Sequence, residues 1–227
     1  MLSLASSKPP AILPRWSPDS ERLAVNQPGV GLVELTVASG KTRTLSPASL
    51  IAEDWSRDGK SLLCEDRDGH RLYELPVEGE GKARTILETP HRQRMLRFSP
   101  DGRWVAYASD QGGSFQIWIA SYPSFTEKRQ VSSGGGTMPF WTNGREILFM
   151  APDGTMMTAD VKTEPGLQTG TPVPLFKPPL IRSSTGNIVG IAVTSDGKRF
   201  LVTELTQQER ESQIVMVLNW MAELKQQ

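Results

Sequence analysis

This sequence has little of the chemistry on which most enzymes and most nucleic-acid-binding proteins depend. Its 227 residues include one cysteine and two histidines, and 25 basic residues balance 25 acidic ones. A single cysteine, Cys64, excludes an internal disulfide framework and a multi-cysteine zinc site. The formal net charge of zero argues against nucleic acid or an anionic membrane as the main partner, because both bind basic surfaces.

Long apolar segments are also missing. No stretch approaches the roughly 18 apolar residues that a membrane span requires, so we predict no membrane insertion by this chain. The first ten residues, MLSLASSKPP, have no basic start and no sustained apolar run, and we therefore expect no signal peptide there. Glycine and proline are plentiful by contrast, at 20 and 17 residues, which indicates a domain rich in turns.

One motif recurs along the chain: a strand that ends in an aromatic residue, a tight turn, and a second apolar strand. The best copies are RWSPDSERLAV, DWSRDGKSLLC and RFSPDGRWVAY, and two looser copies are FWTNGREILFM and AVTSDGKRFLV. We call the residue ahead of each turn the anchor; the anchors are Trp16, Trp55, Phe98, Trp141 and Val193, spaced 39 to 52 residues apart. Units of about 40 to 45 residues with four short strands are typical of β-propeller blades.

We therefore predict an all-β fold, a β-propeller of four-stranded blades with five repeats visible. The predicted domain spans residues 1–220, and residues 221–227 form a short C-terminal tail. The fifth repeat has only three strands, and residues 2–5 lie where an outer strand would end, so this segment could complete the last blade. Two architectures stay open: a closed five-bladed ring, or the C-terminal part of a larger propeller of about six to eight blades.

The turns after the anchors have a structural role in this interpretation. Proline presets the first backbone angle of a Ser-Pro-Asp-Gly turn, Asp tolerates the second position, and Gly accepts the left-handed conformation. Ser20 replaces that Gly in the first copy, at a cost of about 1 kcal/mol if it is left-handed. The Asn-Gly pair in the fourth copy predicts a type I′ hairpin. The predicted structural turn residues are Asp19, Asp58, Gly59, Asp101, Gly102, Asn143, Gly144, Asp196 and Gly197.

The aromatic anchors and the loops complete the structural expectations. Trp16, Trp55, Phe98 and Trp141 occupy one repeated position, and we expect each to pack between neighbouring blades. The segment from Val161 to Phe176 contains three prolines, which predicts a surface loop.

No catalytic, metal or cofactor site is predicted. The Gly-rich loop, His-Arg-Asp loop and Asp-Phe-Gly motif of a kinase are all missing, and so is the Gly-x-Ser-x-Gly elbow of a serine hydrolase. His70 and His91 fall in predicted turns and are expected to be loop residues. Asp66 opens a calcium-loop-like acidic cluster, but the twelfth position is Val77 where a bidentate Glu is needed. A charged hairpin turn is the simpler interpretation.

RWSPDSERLAV, RFSPDGRWVAYASDQGG and DGKRFLV resemble the WD40-like repeat of TolB-type bacterial β-propellers. The order of further stretches, QVSSGGG, PFW, GREILFMAPDGTMMTADV and VLNW, is similar to the C-terminal propeller region of bacterial, notably acidobacterial, transmembrane serine/threonine protein kinases. The resemblance covers about Arg15 to Trp220. The sequence departs from the family pattern at Thr142-Asn143-Gly144, and it contains no kinase catalytic region.

This resemblance implies a non-catalytic scaffold that binds a protein, peptide or small ligand on a propeller face. The scaffold would be the sensory or interaction region of a kinase-type or TolB-like protein, periplasmic or otherwise extracytoplasmic, with no cofactor. Two alternatives stay open. The first is an enzyme that uses the central channel, which would need converging carboxylates or histidines. The second is a fragment of a kinase or a prolyl-oligopeptidase-like hydrolase whose catalytic domain is absent from this sequence.

Overall fold

The computed structural model of the protein describes residues 12–79, 82–179, 181–182, 188–189, 191–194, 196–204 and 213–217. All regular structure in these ranges is β-strand, and the strands form antiparallel sheets. The described residues contain no helix that is long and apolar enough to cross a membrane. The prediction of an all-β propeller with about five blades is confirmed. Residues 2–5, which could complete the last blade, and the C-terminal tail lie outside the described ranges.

Blades 1 to 3 are regular four-stranded meanders in which the order of strands in the sheet follows the order in the chain. Blade 1 contains β1 (Ile12–Trp16), β2 (Arg22–Gln27), β3 (Gly31–Thr36) and β4 (Thr42–Ser46). Blade 2 contains β5 (Ile51–Trp55), β6 (Ser61–Glu65), β7 (Arg71–Pro76) and β8 (Arg84–Glu88). Blade 3 contains β9 (Gln93–Phe98), β10 (Trp104–Ser109), β11 (Gln116–Ser121) and β12 (Lys128–Gln130).

Blade 4 is less regular. It contains β13 (Thr137–Thr142), β14 (Glu146–Met150) and β15 (Met156–Lys162), and both β16 (Gln168–Thr169) and β17 (Val173–Phe176) pair with β15. The prediction of a surface loop from Val161 to Phe176 is therefore wrong in part, because β17 is the outer strand of this blade. Pro174 makes this segment look like a loop in the sequence. An edge strand tolerates proline because its outer side makes no hydrogen bonds to another strand.

Within the described residues, blade 5 has three strands, the number that the fifth repeat predicts. They are β20 (Ile191–Val193), β21 (Phe200–Glu204) and β22 (Gln213–Val217). A short two-stranded pair, β18 (Ile181–Arg182) and β19 (Ile188–Val189), lies between blades 4 and 5 in the chain.

The core lies between the blades, and alternate residues of each middle strand face the two neighbours. In β6, Leu62 and Cys64 pack towards blade 1 while Leu63 packs towards blade 3, and all three side chains are fully buried. Burial raises the pKa of the Cys64 thiol above its ordinary range, so this cysteine is an inert core residue. Because both faces of the sheet are covered, the middle strands are continuous apolar runs.

Every innermost strand of blades 1 to 4 contains a β-bulge ahead of its anchor. The pairing register shifts in β1, β5, β9 and β13, and two residues in the bulges, Met95 and Met138, have φ of +59° and +54°. A bulge bends its strand and re-aims the neighbouring side chains. The repeated bulge therefore sets the direction of the charged residues that precede the anchors.

Candidate binding surface on the inner strands

Two tryptophan anchors tie neighbouring blades together through the same hydrogen bond. Trp55 Nε1 donates to the backbone oxygen of Arg15 at 2.9 Å, and Trp141 Nε1 donates to that of Arg97 at 3.1 Å. In both cases the acceptor is the residue before the anchor of the preceding blade. Besides packing in the core, the indole at this position donates a hydrogen bond that fixes the position of one inner strand relative to the next.

Phe98 has no ring N–H, and the junction between blades 2 and 3 uses a different bond. The backbone N–H of Phe98 donates to Asp54 Oδ2 at 2.9 Å, and Asp54 again precedes the anchor of the previous blade. Burial raises the pKa of Asp54 above its ordinary value, and the nearby charge of Arg97 opposes that shift. The residue before the anchor therefore joins successive blades at all three of these junctions.

Trp16 is the exception among the aromatic anchors. Its relative exposure is 55%, whereas Trp55, Phe98 and Trp141 are 2%, 2% and 8% exposed. The indole donates no hydrogen bond to any described residue. The prediction that Trp16 packs between blades is wrong in this structure, because no described blade covers the ring in the way that blade 1 covers Trp55.

The predicted turn residues lie where the sequence places them, in the turn after each anchor. Asp58 illustrates the geometry: its Oδ1 accepts hydrogen bonds from Ser56 Oγ at 2.6 Å and from the backbone N–H of Lys60 at 3.1 Å. Asp19, Asp101 and Asp196 make the equivalent pair of bonds. These bonds hold the pKa of all four carboxyls below the ordinary range, at about 2 for Asp19. Each carboxylate is thus committed to its own turn.

The left-handed positions of these turns follow the sequence. Gly59, Gly102 and Gly197 have φ of +69°, +71° and +70°, and Ser20 adopts +61° in the first copy. In the fourth copy both Asn143 (+49°) and Gly144 (+68°) have positive φ, which is the type I′ geometry that an Asn-Gly pair favours.

A charged cluster joins the inner strands of blades 1, 2 and 3. Glu53 is 3% exposed, and its Oε2 lies 3.0 Å from Arg15 Nη2 and 3.5 Å from Arg97 Nη1. Arg15 Nε also donates to the backbone oxygen of Glu53 at 2.7 Å. These residues lie 38 and 44 positions apart in the chain, so nothing in the sequence pattern joins them. The one available signal is a charge one or two residues before an anchor, inside an otherwise apolar strand.

Glu65, at the end of β6, extends this cluster towards the turn between β6 and β7. It is 1% exposed, its Oε1 lies 3.4 Å from Arg94 Nη1, and its Oε2 has no hydrogen-bond partner in the described part of the chain. Burial, reinforced by the charge of Glu53, raises the pKa of Glu65 to about 9. Burial and the charge of Glu53 thus favour the protonated form of this carboxyl over the ionised form.

A pocket of about 450 Å³ opens next to the cluster, where blades 1 and 2 meet. Its apolar lining comes from Pro28 and Val30 in the β2–β3 turn and from Pro47 and Ile51 in the connection to β5. Ile51 is the strand partner of Glu65, which places the pocket beside the charged cluster. Polar groups also reach the pocket, from Asn26, Gln27, Ser49 and Arg67.

The walls of this pocket are fixed by the backbone. The Asn26 side chain donates to the carbonyl of Leu50 and accepts from the N–H of Ala52, so it fastens β2 to the chain entering β5. Gly31 has a φ of +113°, and a Cβ there would lie 2.2 Å from the backbone oxygen of Ser46. Only glycine fits this position, and the pocket is consequently a preformed feature.

Among the described residues that line the pocket, only Arg67 has a charged side chain. Its guanidinium makes no ion pair or hydrogen bond with the residues that the structure describes. Its backbone oxygen accepts a hydrogen bond from Arg94 Nη2 at 3.0 Å, which ties the turn to blade 3. The described lining therefore combines apolar side chains with one cation that is not paired with any described residue. No group of three or more His, Cys, Asp or Glu side chains that could hold a metal ion occurs among the described residues.

Comparisons with known proteins place this architecture. No protein-family model matches the sequence. A curated relative, an uncharacterized protein of Agrobacterium fabrum, is 28% identical over 146 residues, which are 60% of this chain and 50% of that protein. The chain thus spans about half the length of this relative.

Two solved structures share the fold along almost the whole chain. One is a putative TolB from Agrobacterium tumefaciens, with a TM-score of 0.67 and 19% identity over 95% of this chain and 79% of that chain. The other is TolB from Acinetobacter baumannii, with a TM-score of 0.69 and 16% identity over 95% of this chain and 53% of that chain. The protein is a β-propeller. More narrowly, it has a TolB-like propeller fold; at these identities the likeness concerns the fold and not the activity.

Proposed function

We propose that this protein is a non-catalytic binding scaffold, and that the pocket between blades 1 and 2 receives part of a protein or peptide ligand. The observation that carries the proposal is the combination of a preformed apolar pocket with the unpaired Arg67. Preformed concave sites with a few placed polar groups are typical of ligand binding. A rigid propeller that presents such loops suits recognition.

The lining indicates the chemistry of the ligand. Pro28, Val30, Pro47 and Ile51 fit an apolar side chain, and Arg67 fits a carboxylate. Asp68 lies in the same turn as Arg67 but does not line the pocket, so the charge facing the ligand is positive. We therefore propose a peptide that carries a carboxylate close to an apolar side chain, either at its C-terminus or on an acidic residue.

A binding role is also supported by what the acidic residues do. The four turn carboxylates accept hydrogen bonds inside their own turns, and Glu53 is engaged by two arginines. None of these groups is left to act as a nucleophile or general base. If the chain is part of a kinase or a prolyl-oligopeptidase-like hydrolase, catalysis belongs to residues outside this sequence and the propeller still binds.

We further propose a periplasmic or extracytoplasmic location, in which the propeller is the interaction region of a TolB-like or kinase-type protein. The sequence resemblance supports this context, and the TolB-like fold is consistent with it. Tagging the protein in its native host and separating periplasm from cytoplasm tests the location directly; recovery with cytoplasmic markers would contradict it.

Peptide selection tests the binding proposal. A soluble library of short peptides with free C-termini is screened against the protein, and selected peptides are compared with their C-terminally amidated forms. We expect peptides with a carboxylate beside an apolar residue, and a loss of affinity of about tenfold in Arg67→Ala. Arg71→Ala is the matched control, since Arg71 is an exposed arginine on β7 that pairs with Glu88. Equal affinity in both variants, or no selected peptides, would contradict the proposal.

A further inference from the structure

Backbone hydrogen bonds hold the turn between β6 and β7 against the connection between β8 and β9, at one end of the junction between blades 2 and 3. The N–H of Gln93 donates to the carbonyl of Gly69 at 2.7 Å, and the N–H of Thr89 donates to the carbonyl of His70 at 3.1 Å. Polar side chains of the two segments therefore lie close to one another.

Strand alternation directs Glu65 and His70 from blade 2 into this junction. Leu63 and Leu72 pack in the cluster shared with blade 3. Glu65 lies two residues after Leu63 in β6, and its strand partner in β7 is Leu72, so Glu65 faces blade 3 as well. His70 lies two residues before Leu72, and the bond from the Thr89 N–H to its carbonyl continues the register of β7 and β8. The His70 side chain therefore faces the same way.

Gln93 faces the same junction from blade 3. Its strand partner is Ser109, which shares a face of β10 with Tyr107, and Tyr107 packs in the cluster between blades 2 and 3. The orientation of the Gln93 amide is fixed, because its Nε2 donates to Thr89 Oγ1 at 2.6 Å and to the carbonyl of His91 at 2.7 Å. The amide oxygen, Oε1, is left as an acceptor.

Each of these three side chains presents a buried atom that can accept a hydrogen bond and has no partner among the described residues. The atoms are Glu65 Oε2, His70 Nδ1 and Gln93 Oε1. Glu65 is 1% exposed and Gln93 is 3% exposed. Buried polar atoms are almost always satisfied, because an unsatisfied one lowers stability. Three such acceptors in one junction therefore indicate a bound group that interacts with all of them.

We propose that Glu65, His70 and Gln93 bind a divalent transition-metal ion through these three atoms. Imidazole nitrogen suits ions such as Zn²⁺, and the carboxylate and amide oxygens complete a mixed donor set of nitrogen and oxygen. The imidazole distinguishes this site from a calcium site, which takes oxygen ligands. The ion would replace the proton that the buried Glu65 carboxyl favours, because a metal ligand must be deprotonated.

The formal charges around Glu65 balance. Two acidic residues, Glu53 and Asp66, and two arginines, Arg94 and Arg15, act on this carboxyl electrostatically. Arg94 pairs with the other carboxyl oxygen, Oε1, at 3.4 Å. No described residue therefore neutralises the charge of an ionised Glu65 at Oε2, where the metal ion would bind.

Asp66, the first residue of the acidic cluster in the sequence, positions His70 and is not one of the three donors. Its Oδ1 accepts the backbone N–H of His70 at 2.9 Å. A metal ion in this site would join the turn between β6 and β7 to blade 3, and the same turn carries Arg67. The inference goes beyond the proposed function, because it concerns a different junction of the propeller and its test needs no peptide.

Calorimetric titration of the full chain without an affinity tag tests the site. The protein is treated with EDTA, dialysed, and titrated with zinc chloride and, separately, with calcium chloride. We expect one Zn²⁺ per chain and no binding of Ca²⁺ in the same range. His70→Ala and Glu65→Gln should each weaken Zn²⁺ binding at least as much as loss of an outer-layer partner does, about 10- to 100-fold. His91→Ala is the matched control, since it removes the other histidine of the chain and leaves the three donors in place.

His70→Ala removes an imidazole whose Nδ1 has no described partner, so the metal-free fold should persist, and urea titration in EDTA checks that it does. Because the chain has two histidines, NMR can follow their ring nitrogens separately. One equivalent of Zn²⁺ should shift the Nδ1 resonance of His70 and leave those of His91 unchanged.

Three results would overturn the proposal. The first is no binding at micromolar Zn²⁺, which would assign the three acceptors to ordered water. The second is Zn²⁺ binding that persists undiminished in a folded His70→Ala variant, which would mean an adventitious ion only. The third is a preference for Ca²⁺, which would assign the cation to the exposed carboxylates of the turn.

Discussion

Blades 1 to 3 and blades 4 and 5 come from the same repeat, yet they differ in how well the repeat is completed. The first three are regular four-stranded meanders, whereas blade 4 takes its outer strand from a proline-containing segment and blade 5 has three described strands. The turn after the anchor survives in every copy, Asn-Gly included. The sequence of the turn after the anchor is thus retained in all five copies of the repeat, whereas the outer strands differ from blade to blade.

The largest expected effect concerns the difference between the buried junction of blades 2 and 3 and the exposed face of blade 5. Leu63 is fully buried between blades 2 and 3, and Leu201 is 37% exposed at the equivalent position of blade 5. Leu63→Ala should lower the free energy of unfolding by about 3 kcal/mol because it leaves a cavity. Leu201→Ala should cost less than about 1 kcal/mol. Urea titration of both variants checks the difference; equal losses would mean that Leu201 is buried in solution.

A feature of the blades can be predicted from the sequence when the residues that form it lie close together in the chain. The turns and the strand order are local, so Asp58, Gly59 and their equivalents could be assigned from spacing alone. The Glu53 cluster could not, because its members meet only after three blades have stacked. The exposure of Trp16 could not be predicted for the same reason: a repeated position predicts a repeated contact only where the preceding blade supplies the hydrogen-bond acceptor and the apolar residues that cover the ring.

A smaller effect is expected from the glycine that shapes the pocket wall. A Cβ at Gly31 would meet the backbone of Ser46, whereas one at Gly40, with φ of +66°, would meet nothing within 4 Å. Gly31→Ala should therefore cost about 2 kcal/mol of stability, and Gly40→Ala about 1 kcal/mol from its backbone conformation alone. Thermal unfolding compares the two. If they prove equally costly, the wall between β3 and the β4–β5 connection is adaptable rather than preformed.

Glu65, in blade 2, is expected to make the stability of the folded protein depend on pH. Its folded pKa of about 9 lies above the ordinary value of 4.5, so between these values the folded state holds a proton that the unfolded state has released. Stability should fall as pH rises through this window, by up to about 1.4 kcal/mol per pH unit.

Glu65→Gln cannot titrate, and its stability should be nearly level between pH 5 and pH 8 apart from the contribution of other groups. Glu88→Gln, on the exposed edge strand β8, is the matched control and should keep the wild-type slope. Urea titrations at four pH values measure these slopes. Parallel slopes for wild type and Glu65→Gln would show that Glu65 is ionised in the fold.

The smallest effect concerns the turn that blade 1 builds without glycine. Ser20 adopts φ of +61°, close to the +69° of Gly59 in blade 2. A left-handed Ser costs about 1 kcal/mol, and the extra entropy that glycine gives the unfolded chain offsets about half of that. Ser20→Gly should thus raise stability by about 0.5 kcal/mol, and Gly102→Ser in blade 3, where φ is +71°, should lower it by a similar amount. A Cβ at Gly102 makes only an ordinary contact, with Arg57 Cγ at 4.0 Å. Differential scanning calorimetry of the two single variants and the double variant resolves such changes. The double variant should match the wild type, because the two turns lie in different blades and their backbone terms add. A net loss would mean that the surroundings of Ser20 stabilise its left-handed conformation.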